Sequence, residues 1–133
     1  MTLNEYQQKA MSTCMPSSDN FSYMMLGLVE EVGELAGKVS KAIRKQQACI
    51  GVDGDLAAQM KKKDVAANDI YFIDENAEEI RDSMKKEIGD VLWMAAGIAK
   101  EMGWTLEEVC QANLDKLADR QKRGKIVGSG DNR

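Results

Sequence analysis

The chain predicts an all-α fold, an antiparallel helical bundle, on three observations. Apolar residues recur at three- and four-residue steps over long stretches, the period of a helix with one buried face. Two capping boxes, Thr2-Leu3-Asn4-Glu5 and Thr105-Leu106-Glu107-Glu108, announce helix starts at the two ends of the chain. Aromatic residues make up only 5% of the sequence, and no segment alternates convincingly as a strand.

The first capping box opens a helix over about residues 3–15, and Pro16, the sole proline, stands where it should stop. Ser17-Ser18-Asp19-Asn20 is a turn that supplies candidate N-caps. A second helix follows from about Phe21 to Arg44, with Met24, Leu28, Val32, Leu35, Val39 and Ile43 expected inward. Residues 46–74 read as a long connection with partial structure. Within it Gly51 to Asp55 is turn-like, Asp55 can cap a short helix through Lys63, and Ile70 to Ile73 is a short extended piece or a buried anchor. A third helix spans about Glu75 to Met102, with Ile80, Met84, Val91, Ala95 and Ile98 inward and Gly103 as its stop. The second capping box starts a fourth helix that runs to about Gln121, and residues 123–133 form a polar, glycine-rich tail. At 133 residues the whole reads as a single domain.

Composition narrows the function. A net charge of −4, spread along the chain, argues against a nucleic-acid surface, which needs a basic stripe. No apolar run has the length of a membrane span, and the polar opening carries no secretion signal. Cys14, Cys49 and Cys110 are odd in number and irregularly spaced, which fits reduced thiols in the cytoplasm. There is no histidine, so His-based triads, His-containing zinc sites and Glu-x-x-His di-iron bundles are ruled out. A metal site here has to be built from carboxylates.

Two acidic clusters supply them: Glu30-Glu31-Val32-Gly33-Glu34 and Glu87-Ile88-Gly89-Asp90. Carboxylates three apart on a helix share a face, so each cluster can aim two of them at one point. At about 100° per residue, Glu31 falls at the edge of the second helix's apolar arc, beside Met24 and Ala42. Glu34 lies about 60° further out with Lys38 between them, and Glu30 points away, either solvated or in a supporting position. Glu87 abuts the face of Ile80 and Ile98, and Asp90 borders it on the polar side. Acids on amphipathic helices are ordinarily solvated surface. Two clusters bordering two apolar faces are less ordinary, and oxygen donors of this kind favour Mg2+ or Mn2+. Gly27, Gly33, Gly37, Gly89 and Gly97 each cost their helix about 1 kcal/mol relative to alanine, a cost expected either for tight helix packing or for ligand access.

Glu30-Glu31-x-x-Glu34 followed by Glu87-x-x-Asp90 resembles the signature of the MazG-like all-α nucleoside triphosphate pyrophosphohydrolases. Gly89-Asp90-Val91-Leu92-Trp93 is similar to that family's third-helix core. The run Asn113 to Arg120, with Gly124 and Gly128-Ser129-Gly130-Asp131 after it, resembles the end of many bacterial and phage members. The likeness covers residues 1–45 and 75–133 in order; the connection between them is longer than in small members. It implies Mg2+-dependent hydrolysis of a nucleoside triphosphate to the monophosphate and pyrophosphate by a homodimer or homotetramer. It also implies Glu31, Glu34, Glu87 and Asp90 as metal ligands, Glu30 as an accessory acid, and Asn113 and Lys116 as phosphate contacts.

Around that core other residues find candidate roles. Glu34 or Glu30 can take the proton of the attacking water. Asn113, Lys116, Arg120 and Arg123 follow at helical steps and place an amide and three cations on one face, where the helix dipole also favours cations. Lys38 can bind substrate in the same way or simply pair with Glu34 four residues earlier. Trp93 fits stacking on a base or a subunit interface, and Trp104 a packing anchor. Two other readings remain: a nucleotide- or alarmone-binding regulator without turnover, and a helical oligomerisation module with decorative acids.

Overall fold

The computed structural model describes residues 1–50, 65–67, 70–72 and 77–125. Four helices dominate: α1 (Leu3–Met11), α2 (Phe21–Arg44), α3 (Ala77–Glu101) and α4 (Leu106–Lys122). The fold is all-α. Its connection between α2 and α3 adds three short strands, β1 (Ala48–Ile50), β2 (Val65–Ala67) and β3 (Ile70–Phe72), in the antiparallel order β1-β3-β2. Ala48 pairs with Phe72 and Ile50 with Ile70; Val65 pairs with Tyr71 across a bulge. The extended reading of Ile70 to Phe72 is therefore the right one. The turn at Gly51 to Asp55 and the helix through Lys63 lie outside the described residues.

Both capping boxes form. Thr2 Oγ1 accepts from the Glu5 N–H at 3.1 Å while the Glu5 carboxylate accepts from the Thr2 N–H at 2.8 Å. Thr105 and Glu108 repeat the exchange at 3.1 and 2.7 Å. Asn20 caps α2, its Oδ1 accepting from the Tyr23 N–H at 2.9 Å. α1 stops at Met11, four residues before the expected end. The Ser12 and Thr13 hydroxyls donate back to the carbonyls of Lys9 and Ala10 at 2.6 and 2.7 Å and draw the chain into turns ahead of Pro16. Gly103, at φ +74°, closes α3 with the Trp104 N–H on the Ala99 carbonyl at 2.8 Å.

The chain divides into two compact units. One comprises Met1–Met25 with Trp93–Arg133, the other Leu26–Leu92. In the first, Ala96, Ala99 and Leu106 are buried with Tyr6 and Met11 packed on them, and Met24 is fully buried where a Cβ on Gly97 would overlap its side chain. Two amides of α1 tie this unit together. Gln7 Nε2 donates to the Ala96 and Trp104 carbonyls at 3.2 and 3.0 Å, and its Oε1 accepts from the Leu106 N–H at 3.1 Å. Asn4 does the same for Glu107, accepting from its N–H at 3.2 Å and donating to its carboxylate at 2.7 Å. Lys100 pairs with Asp19 of the turn before α2.

In the second unit Ala42 and Ala48 are buried, with Ile80 and Met84 packed against them. The inward arc expected on α2 is corrected in part: Leu28, Leu35 and Val39 are half-buried, whereas Val32 and Ile43 are exposed. Tight packing does not explain Gly33, Gly37 and Gly89, since a Cβ on any of them would meet open space among the described residues.

Candidate active site

The acids of α2 and α3 come together in the second unit. Here the order of neighbours shows that the helices run antiparallel. Lys38 meets Glu87, and further along the chain Lys41 of α2 and Lys45 just past its end share a cleft with Glu79, Ile80 and Ser83. Carboxylate oxygens of Glu31, Glu34 and Glu87 lie within 4.8 Å of one another. Glu87 is only 8% exposed, Glu31 is half-buried and Glu34 is open to solvent. The group thus has a sheltered floor and an accessible rim. Helical spacing does the work: Glu31 and Glu34 sit one turn apart on one face, and Glu87 faces them from the neighbouring helix.

Burial, followed by the charges of Asp90, Glu34, Glu30 and Glu87, holds the Glu31 carboxyl above the usual carboxylate range. Asp90 and Glu30 therefore bear on Glu31 electrostatically, though both are exposed and neither belongs to the close group of three. Lys38 stands against this group, its Nζ 2.8 Å from Glu87 Oε1. That hydrogen bond and the Glu87 charge raise the Lys38 pKa. The expected Lys38 partner four residues back, Glu34, acts on it only through space; the partner in contact stands on the other helix. Three carboxylates thus bring hard oxygen donors together, Glu87 sheltered from water and Glu34 open to it. Such a donor set fits a divalent cation of the Mg2+ or Mn2+ kind.

The remaining candidate residues belong to the first unit. Asn113 and Lys116 are exposed on α4, but Arg120, expected on the same open face, is 5% exposed. Arg123 forks onto Asp119, with Nη2 and Nε at 2.6 and 2.8 Å from Oδ2. Trp93 is half-buried, and its indole N–H donates to the Ala10 carbonyl and to Thr13 Oγ1, both at 3.0 Å. That bond ties its polar edge to the end of α1. Trp104 is 50% exposed and lines a cleft with Glu108, Val109 and Ala112, so its ring is not the packing anchor expected of it. What holds this position is its backbone carbonyl, through Gln7.

Sequence reasoning missed Lys41 and Lys45, which line a cleft beside Lys38. The signal was available: Glu31, Glu34, Lys38 and Lys41 step by three and four along a single stripe of α2, and Lys45 follows at the next step just past its end.

Comparison with known proteins identifies the family. Residues 19–124 match the model of the MazG nucleotide pyrophosphohydrolase domain. The chain is 36% identical over 117 residues to the gene 37 protein of Mycobacterium phage L5, covering 88% of this chain and 80% of that protein. No solved structure gives a significant match. The matched span takes in both acidic motifs and the two helices that present them, and the chain belongs to the MazG nucleotide pyrophosphohydrolase family.

Proposed function

We propose that the chain hydrolyses a (deoxy)nucleoside triphosphate to the monophosphate and pyrophosphate, with Mg2+ or Mn2+, in nucleotide-pool house-cleaning in the cytoplasm. The observation that carries this reading is the meeting of the Glu31, Glu34 and Glu87 carboxylates within 4.8 Å. These three would hold the metal, with Asp90 as the nearby fourth acid. A bound divalent ion supplies charge reversal toward the phosphates and lowers the pKa of a coordinated water.

The protein's own groups do the rest. Water oxygen attacks the α-phosphorus, the bridging α–β P–O bond breaks, and its electron pair leaves with pyrophosphate. The water's proton passes to a carboxylate. Glu34, the solvent-facing member of the group, is the proposed acceptor, and Glu30, one residue before Glu31 and exposed, is an accessory acid. Glu87, sheltered and paired with Lys38, positions the metal side. Asn113, Lys116 and Arg120 are proposed to steady phosphates, and Trp93 to border the nucleotide.

We further propose a homodimer or homotetramer. α2 exposes Leu26 and Val29 at 74% and 70%, beside Met25 and Val32, an apolar surface that a second copy would cover. Among the described residues no helix is long and apolar enough to cross a membrane.

The test is Mg2+-dependent release of pyrophosphate from a panel of nucleoside triphosphates, with product analysis. Glu34→Gln and Asp90→Asn should abolish turnover and leave the helical circular-dichroism spectrum intact. Full activity in both variants would remove the metal assignment. Binding of nucleotide without pyrophosphate would instead make the protein a regulator.

A further inference from the structure

The stripe of α2 that begins with Glu31 and Glu34 changes sign as it proceeds. Lys38, Lys41 and Lys45 continue it, and they line one wall of a cleft of about 310 Å3. The opposite wall comes from α3, where Glu79 and Ser83 precede Glu87 and Asp90 on one face at steps of four, four and three. Followed along the two antiparallel helices, the facing stripes are acidic at one end, and at the other they line the cleft with the lysines. Lys38 marks the crossover, its ammonium on Glu87. From Glu34 to Lys41 the helix rises about 10 Å, comparable with an extended triphosphate chain.

The basic end is not spent on internal ion pairs. Among the described residues Lys41 and Lys45 are exposed and make none, and Glu79 is the one carboxylate lining the cleft with the three lysines. The helix dipole favours cations in the last turn of α2, which accounts for Lys41 and Arg44 being basic. It does not account for three ammonium groups on the stripe that also carries the acids. Ser83 Oγ donates to the Ile80 carbonyl at 2.7 Å, so its proton is committed and recognition falls to the lysines. Locally the cleft reverses the sign of a chain whose net charge is −4.

We propose that this cleft is a diphosphate site: it takes the β- and γ-phosphates of the substrate and then holds the pyrophosphate as it leaves. The assignment rests on the pyrophosphohydrolase reading above and extends it to a part of α2 that the acidic motifs do not reach. Ammonium groups supply point charges with rotatable donors, which suit phosphate oxygens that change position as the α–β bond breaks.

The experiment measures binding of inorganic pyrophosphate by calorimetry in EDTA, so that the cleft is read apart from the metal centre. The Lys41→Gln/Lys45→Gln double variant should bind at least about tenfold more weakly than the unaltered chain. A Lys9→Gln/Lys86→Gln double variant, which removes the same charge elsewhere, should bind within about twofold of it. In Mg2+ turnover assays the cleft variant should raise KM for the triphosphate. Equal pyrophosphate affinity in the cleft variant and the unaltered chain overturns the proposal, as does no binding by the unaltered chain. Weakened pyrophosphate binding with unchanged KM overturns the substrate assignment. If pyrophosphate binds the lysines but no nucleotide is hydrolysed, the cleft stands as a diphosphate site and the enzymatic reading falls.

Discussion

The two compact units of this chain solve opposite problems. In the unit of Met1–Met25 and Trp93–Arg133, the buried charge is the Arg120 guanidinium, and the other polar groups described near the core are neutral and bonded. Gln7 serves three backbone groups, Asn4 serves Glu107 at two points, and Trp93 closes onto Ala10 and Thr13. Small residues, Ala96 and Ala99, let the helices approach, and Met24 fills the gap left by Gly97. In the unit of Leu26–Leu92, like charges are brought together instead, around a core of Ala42 and Ala48. Gln7, Asn4 and Trp93 of the first unit meet the hydrogen-bonding demand of backbone groups; the second unit creates electrostatic demand that a ligand can meet. Hydrogen-bond closure by neutral side chains and the gathering of like charges thus fall in different stretches of sequence.

Substitutions can break this contrast. Glu87→Gln should lower turnover by at least about a hundredfold. It leaves Lys38 without its charged partner, so the metal-free fold should not gain stability; a clear rise in melting temperature would mean that the ion pair does not offset the crowding of carboxylates. In the first unit Met24→Ala should cost about 2–5 kcal/mol in a denaturant titration, because it empties a fully buried site. Gly97→Ala should cost about 1–3 kcal/mol by overpacking the same spot. The double variant should cost less than the sum, since alanine at 24 leaves room for the new methyl. Gln7→Leu should follow at about 1–3 kcal/mol, through the Ala96 and Trp104 carbonyls and the Leu106 N–H that it strands. None of the three should alter the affinity for metal per folded molecule.

The smallest effect is one of pH. The Glu31 carboxyl is raised in the fold, so between its unfolded and folded pKa values the native state holds a proton that the unfolded chain releases. Rising pH through that window therefore disfavours folding, and acidification toward the ordinary carboxylate range restores it. In EDTA, Glu31→Gln should flatten this slope, and the stability difference between variant and parent should grow in the variant's favour as pH rises. An unchanged slope would show that Glu31 is not held among like charges.

Much of the frame was legible in the sequence because it is local. Capping boxes at Thr2 and Thr105, the extent of α2 and the stop at Gly103 each depend on residues within one turn of each other. So did the convergence of Glu31, Glu34 and Glu87, which needs only helical periodicity and an antiparallel neighbour. What escaped was set by competition or by distance. Ser12 and Thr13 could have continued α1, but their hydroxyls took backbone carbonyls instead. Strands of three residues carry too little alternation to be seen, and exist through their pairing. The i,i+4 rule offered Lys38 the wrong partner because Glu87, across the groove, is closer than a helix wheel can reveal. Arg120 shares its spacing with Lys116 and not its exposure.

Trp93 and Trp104, the chain's two tryptophans, both stand in the unit of Met1–Met25 and Trp93–Arg133, one with its indole bonded to the end of α1 and one half in water. Intrinsic fluorescence excited at the red edge consequently reports on that half of the molecule, while the stretch bearing the acids and the lysine cleft is optically dark. Emission and far-ultraviolet ellipticity, followed on one sample, would then separate loosening of the tryptophan-bearing half from melting of the helices as a whole.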